Sequence, residues 1–233
     1  MIYLGHPGRR SLRENLAITY NNRGNAYRNK REYDRAIQDY NEAIRLNPNY
    51  ATAYNRGIAY RSKREYDRAI QDYNEAIRLN PNYAIAHGGR GRARFYAARF
   101  PAAQEDLAKA VELLSSYPYD AIWLYLARAR AGADAKTELA KNAERLKFEG
   151  ITEKIVSLFL GKTTPADLLS AAKVADPKKQ KDNVCEAYFY IGQQALLLGN
   201  RTEAIKLFRA AVENCEVTFI EYAGAQAELT RLK

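Results

Sequence analysis

Two histidines and two cysteines in 233 residues leave this chain few of the side chains that chemistry favours. His6 and His87 cannot assemble a metal-ligand cluster or a histidine-centred catalytic set. No apolar run approaches the roughly 18 residues that a bilayer-spanning helix needs. The opening stretch MIYLGHPGRR turns polar too soon for a secretory leader, so the chain as written is expected to be neither exported nor anchored and reads as cytoplasmic. Gly161-Lys162-Thr163 ends like a phosphate-binding loop, but the glycine required five residues earlier is Val156. Gly88-Gly89-Arg90-Gly91 has no strand ahead of it and reads as the loosened start of a helix. No catalytic set, metal or cofactor is expected.

What the chain has instead is tyrosine, positive charge and repetition. There are 18 Tyr against 7 Phe and 1 Trp. Tyrosine can pack its ring and leave its hydroxyl wet, which suits thin helical layers. The formal charge of +10 favours acidic partners. Residues 30–51 (KREYDRAIQDYNEAIRLNPNYA) recur letter for letter as residues 63–84, an offset of 33 positions. A fixed period in this range marks a stacked array whose units cover one another's apolar faces.

Within the second unit Ala59, Tyr60, Tyr66, Ala69, Ile70, Tyr73, Ala76, Ile77 and Leu79 follow the i, i+3, i+4 spacing of two amphipathic helices. Lys63-Arg64-Glu65 separates them and Asn80-Pro81 stops the second. Ala26, Tyr27, Tyr33, Ala36, Tyr40, Ala43 and Pro48 repeat the scheme one unit earlier. The order small residue, aromatic, alanine, aromatic, alanine, proline resembles the tetratricopeptide repeat (TPR). Gly24 and Gly57 stand at that family's first-helix glycine; Ala36 and Ala69, Tyr40 and Tyr73, Ala43 and Ala76, Pro48 and Pro81 stand at its second-helix positions. A third unit runs from Gly91 through Ala103, Leu107 and Ala110, with Pro101 in the first turn of its second helix.

The resemblance implies an all-α, right-handed superhelical TPR solenoid with a C-terminal capping helix. The expected organisation is a flexible tail over 1–13, three TPR units over 14–117 and a degenerate hairpin over 118–148. Two short connecting helices and a basic loop follow over 149–181, then a TPR-like hairpin with its capping helix over 182–233. Asp120 is expected to cap the helix carrying Trp123 and Leu126. Thr164 is expected to cap another, with Pro165 first and Asp167 bonding back. DPKKQKDN at 176–183 reads as a loop and the best internal boundary. Cys185 and Cys215 flank the last hairpin, whose antiparallel ends come together. A disulfide and two free, packed thiols are both compatible with that placement.

Strings such as Trp123-Leu124-Tyr125-Leu126-Ala127, Ile155 to Gly161, Glu186 to Gly192 and Phe219-Ile220-Glu221-Tyr222 occur in the order of similar strings in the NlpI family of bacterial TPR lipoproteins. That resemblance implies a dimeric adaptor at the bacterial envelope, in the periplasm, that brings cell-wall hydrolases to a processing protease. No lipidation cysteine precedes the first repeat of the chain as written.

In TPR arrays the first helix of each hairpin lines the concave groove. Carried onto this chain, the groove positions are Asn21, Asn25 and Arg28, then Tyr54, Ile58 and Arg61, then Arg92, Phe95 and Tyr96. Arg28, Arg61 and Arg92 would form a cationic ladder able to fork carboxylates of an acidic segment. The carboxylate clamp of chaperone-binding TPR domains is not expected: Asn25 and Asn55 match its asparagines, but Asn21, Ile85 and Gly89 stand where its cations belong. The expected function is a non-enzymatic protein-interaction scaffold or adaptor, with no small-molecule substrate and a homodimer as a further expectation. A basic helical-repeat RNA binder is the alternative, using arginine for phosphates and tyrosine for stacking. It ranks second because the repeats keep the TPR packing residues and the charge is spread over both halves.

Overall fold

The computed structural model describes residues 7–114 and 116–233, with side chains from residue 12 onward. The described residues form helices α1 (Pro7–Asn29), α2 (Tyr33–Leu46), α3 (Tyr50–Ser62), α4 (Tyr66–Leu79), α5 (Ala84–Tyr96), α6 (Phe100–Leu113) and α7 (Tyr119–Arg130). They continue with α8 (Lys136–Arg145), α9 (Ile151–Leu160), α10 (Pro165–Ala171), α11 (Pro177–Leu197), α12 (Arg201–Asn214) and α13 (Ile220–Arg231), and no strand occurs among them. None is long and apolar enough to cross a membrane. Two compact units divide after Ala93, inside α5.

In the first unit, α2 and α4 share the sequence YDRAIQDYNEAIRL and fold identically. Ala36, Tyr40 and Ala43, like Ala69, Tyr73 and Ala76, are buried. Exposed Glu32–Arg35, Glu42–Arg45, Glu65–Arg68 and Glu75–Arg78 pairs lie three residues apart on the wet face. The antiparallel hairpins α1–α2 and α3–α4 are tight because their glycines admit a ring. A Cβ on Gly24 would stand 2.7 Å from Tyr40 Cε1, and one on Gly57 would stand 2.8 Å from Tyr73 Cε1. Each connection is a helix stop with one left-handed residue, Arg31 (φ 64°) or Arg64 (φ 63°). The next amide, of Glu32 or Glu65, donates back to the carbonyl of Tyr27 or Tyr60 at 2.9 Å. Asn49 starts α3 by accepting from the amides of Ala51 and Thr52.

The second unit is built around Trp123, fully buried among Phe95, Tyr96 and Phe189. The α11–α12 hairpin repeats the glycine–ring device, with a Gly192 Cβ position 2.8 Å from Phe208 Cε1. α13 closes over α11 and α12, and its Gly224 has a Cβ position 2.7 Å from Phe189 Cε2 and 3.0 Å from the Trp123 ring. Glu228, wholly buried on α13, accepts from Arg130 (2.8 Å), Arg231 (2.9 Å) and Gln193 (3.2 Å).

Several sequence expectations change here. α1 begins at Pro7, so part of the stretch expected as a tail is helix, while residues 1–6 lie outside the described residues. The 176–183 segment is not a loop: Asp176 accepts from the Lys179 amide at 2.7 Å, Pro177 takes the first turn, and α11 starts there. Asp120 is not a cap: α7 begins at Tyr119 after Pro118, and Asp120 is buried inside its first turn. The Thr164–Asp167 capping box is present, with both reciprocal bonds made.

Candidate functional site

The first-helix residues of the N-terminal hairpins fall into two sets with different partners. One set is structural. Arg23 forks Asp39 through Nε and Nη2, both at 2.7 Å, and Arg56 forks Asp72 at 2.9 and 2.6 Å. Asp39 and Asp72 are almost completely buried, so these arginines neutralise carboxylates within their own hairpins. Sequence reasoning passed over them, although both pairs are 16 residues apart in each repeat.

The other set carries the groove positions. On α1, Asn21, Asn25 and Arg28 share one face and are half-buried. Their polar groups are used internally. Asn55 Nδ2 donates to Asn21 Oδ1 at 3.2 Å, Arg28 Nη1 donates to Asn55 Oδ1 at 3.1 Å, and the Tyr40 hydroxyl donates to Asn25 Oδ1 at 2.8 Å. Asn55 of α3 therefore bridges Asn21 and Arg28 of α1, while Asn25 is tied separately to α2.

One repeat later the same face of α3 carries Tyr54, Ile58 and Arg61, all half-buried. Ile58 occupies the position of Asn25, so the helix offers Tyr73 no amide oxygen. Tyr73 is completely buried and its hydroxyl meets no hydrogen-bond partner among the described residues. Burial pushes the phenol up to about 12, against the pull of nearby Arg61 and Arg92. The Tyr54 ring lies 5.6 Å from that of Tyr73 and 5.4 Å from that of Tyr83, which in turn meets Tyr50 at 4.8 Å. Gly89 on α5 faces both Tyr73 and Tyr54: its Cβ position would stand 3.1 Å from Tyr73 Cζ and 3.3 Å from Tyr54 Cε2.

The remaining expected groove residues are placed differently. Arg92 is buried rather than solvated. Phe95 and Tyr96 are core residues of the second unit and do not line a groove. Phe95 stacks edge-on against Trp123 and Phe100, and the Tyr96 hydroxyl donates to the Ile220 carbonyl at 2.8 Å. The physical reason is Trp123, whose bulk draws the end of α5 into the core beneath α13.

The second unit holds its own polar centre, which sequence reasoning did not find. The Tyr119 hydroxyl donates to Glu186, with both carboxylate oxygens 3.0 Å away, and the Tyr190 hydroxyl donates to Glu221 at 2.8 Å. Both glutamates are buried. Burial first, and then repulsion from Glu221, pushes the Glu186 carboxyl up to about 8. One residue away, Cys185 is joined to Cys215 in a disulfide that ties α11 to the end of α12. Among the described residues no three His, Cys, Asp or Glu converge in a way that could hold a metal ion.

These paired helices define a helical-hairpin repeat protein. The repeats are tetratricopeptide repeats: the family's profiles match residues 17–50, 51–83 and 186–215. The chain is 32% identical over 150 residues to a lipoprotein NlpI homolog of Haemophilus influenzae, a match covering 63% of this chain and 48% of that protein. The chain thus spans about half the length of that relative. Among solved structures it resembles the first TPR of Spaghetti (RPAP3) bound to the HSP90 peptide SRMEEVD, with 27% identity and a TM-score of 0.50 over 52% of this chain and 96% of that one. It also resembles a tetratricopeptide repeat protein from Parabacteroides merdae, with 16% identity and a TM-score of 0.58 over 99% of this chain and 86% of that one, a likeness of fold alone.

Proposed function

We propose that the N-terminal hairpins dock an extended protein segment carrying acidic groups, and that the chain works as a non-enzymatic adaptor. The observation that carries this reading is the half-buried Tyr54–Ile58–Arg61 stripe of α3. It offers aromatic and aliphatic surface beside a guanidinium, the combination that holds an extended peptide by side-chain pockets and charge. The first TPR of RPAP3, bound to a peptide ending in Glu-Glu-Val-Asp, supports an acidic ligand on such a scaffold. The similarity to an NlpI homolog supports the narrower version, an envelope adaptor for proteases or cell-wall hydrolases.

The test is a pull-down from a bacterial envelope extract, read by mass spectrometry, comparing wild type with Ile58→Glu/Arg61→Glu. A protease or wall hydrolase held by wild type and lost by the variant is the expected result. Equal retention by both would move the site off α3. Nucleic acid alone, released steeply by salt, would favour the RNA reading that the +10 charge keeps as the alternative.

A further inference from the structure

We infer that the open outer stripe of α1 is a docking surface for an amphipathic helix of a partner protein, a helix with the chemistry of this chain's own second repeat helices. The surface is separate from the groove on α3 and stands or falls without it. The α2–α3 boundary shows how such a stripe is covered. Arg56, Ala59 and Lys63 lie along one face of α3 and its C-terminal turn, three and four residues apart. Ala59 is sealed at 0% exposure against Ala36, Ile37 and Tyr40 of α2. Arg56 Nη1 donates to Asn41 Oδ1 at 2.6 Å, and Lys63 meets Asp34 at 2.6 Å. The α4–α5 boundary repeats the pattern: Ala93 is sealed against Ala69, Ile70 and Tyr73, and Arg90 Nη1 donates to Asn74 Oδ1 at 2.7 Å.

One repeat earlier the same stripe is open. Leu12, Leu16, Thr19, Arg23, Ala26 and Lys30 continue the alternation of fours and threes, and all six are exposed. Ala26 is uncovered where Ala59 is sealed, and the Arg23 side chain is 56% exposed against 23% for Arg56. Arg23 spends Nε and Nη2 on Asp39, as Arg56 spends them on Asp72. That leaves Nη1, the atom Arg56 gives to Asn41. Leu12 and Leu16 prolong the stripe with apolar surface of the kind that marks an interaction face.

The chain's own interface specifies the occupant. Asp34 meets Lys63 and Asn41 meets Arg56, so the covering helix runs antiparallel to the one it covers. The helix that fits α1 presents an acidic residue to Lys30, an alanine and an isoleucine over Ala26, and an asparagine to Arg23. Apolar residues follow towards its C-terminal end, to meet Leu16 and Leu12. A second copy does not supply it from α2 or α4, because α3 and α5 already occupy those faces. The occupant is therefore a helix of another polypeptide.

The probe is a fluorescein-labelled peptide of residues 32–46, stapled between positions 38 and 42 on its wet face so that it is helical in isolation. Fluorescence anisotropy reads its binding to the full-length chain. Expected is saturable binding to wild type that weakens about tenfold or more in Ala26→Arg, whose side chain fills the place of the incoming isoleucine. Asn41→Ala in the peptide should weaken it about fivefold, the loss of one hydrogen bond. Ala26 is exposed, so its variant should keep the wild-type melting curve, and Ile58→Glu/Arg61→Glu should bind the peptide as wild type does. Equal binding by wild type and Ala26→Arg, or no saturation at about 1 mM peptide, overturns the surface while leaving the groove standing. Self-association of wild type in sedimentation velocity, abolished by Ala26→Arg, would make a second copy the occupant and overturn the partner helix.

Discussion

Exchanging Tyr40 and Tyr73 for phenylalanine, one at a time, deletes the same atom from the same 14-residue helix sequence. Both side chains are fully buried and both pack against a glycine of the preceding helix. The consequences should nevertheless have opposite signs. Tyr40→Phe removes a 2.8 Å bond and leaves Asn25 Oδ1 without its donor, which costs about 1 kcal/mol. Tyr73→Phe removes a buried hydroxyl with no partner, and relief of that desolvation stabilises by about 1 kcal/mol, the low end of its range. The separation between the variants is then about 2 kcal/mol, or about 1 M in urea midpoint at a typical slope for a small domain. Urea unfolding followed by far-ultraviolet circular dichroism reads it directly, and both sites lie in the same unit, so the same transition reports both. A companion cycle sharpens the sign: Ile58→Asn restores the repeat-one acceptor and should stabilise the Tyr73 background more than the Tyr73→Phe background, with a coupling of about 0.5 kcal/mol or more. Equal destabilisation by the two tyrosine variants, with no coupling in the cycle, would refute the reasoning.

Three further outcomes follow from the second unit and the turns. Burial and repulsion from Glu221 hold the Glu186 carboxyl well above its ordinary range, so its contribution to stability is complete at acid pH, below the ordinary carboxylate pKa, and drains away as pH rises through its raised folded-state pKa; Glu186→Gln should flatten that slope in thermal melts between pH 5 and 8, and an unchanged slope would count against the buried pair. The Cys185–Cys215 bond closes a loop with a sequence separation of 30, so its reduction should destabilise the second unit by about 2–4 kcal/mol, read as a lowered Tm in dithiothreitol, whereas two free thiols after unfolding without reductant would remove the bond from the account. Arg31→Gly and Arg64→Gly each relieve a left-handed non-glycine residue and should raise stability by about 0.5–1 kcal/mol, with a loss in both showing that the arginine side chains matter more than the backbone.

The repeats were legible because their signals are local and redundant. Apolar spacing, the Asn-Pro stop and the glycine–ring offset all mark the same helix ends, so Lys63-Arg64-Glu65 and Asn80-Pro81 punctuate the chain where the sequence says they should. Where only one weak signal spoke, it misled. The basic run after Asp176 looks like a loop because charge reports exposure, and an exposed helix turn is as charged as an exposed loop. Position alone misplaced Phe95 and Tyr96, since nothing local to α5 announces the indole of Trp123 that pulls them into the core. The unsatisfied hydroxyl of Tyr73 is a different case. Its signal, asparagine at 25 against isoleucine at 58, stands in the sequence, but it acquires meaning only when the structure shows that residue 25 receives a hydroxyl from residue 40. Identity between repeats conceals function for the same reason that it reveals fold: the conserved second helices specify packing, and the few first-helix differences decide which packed groups are left with something to bind.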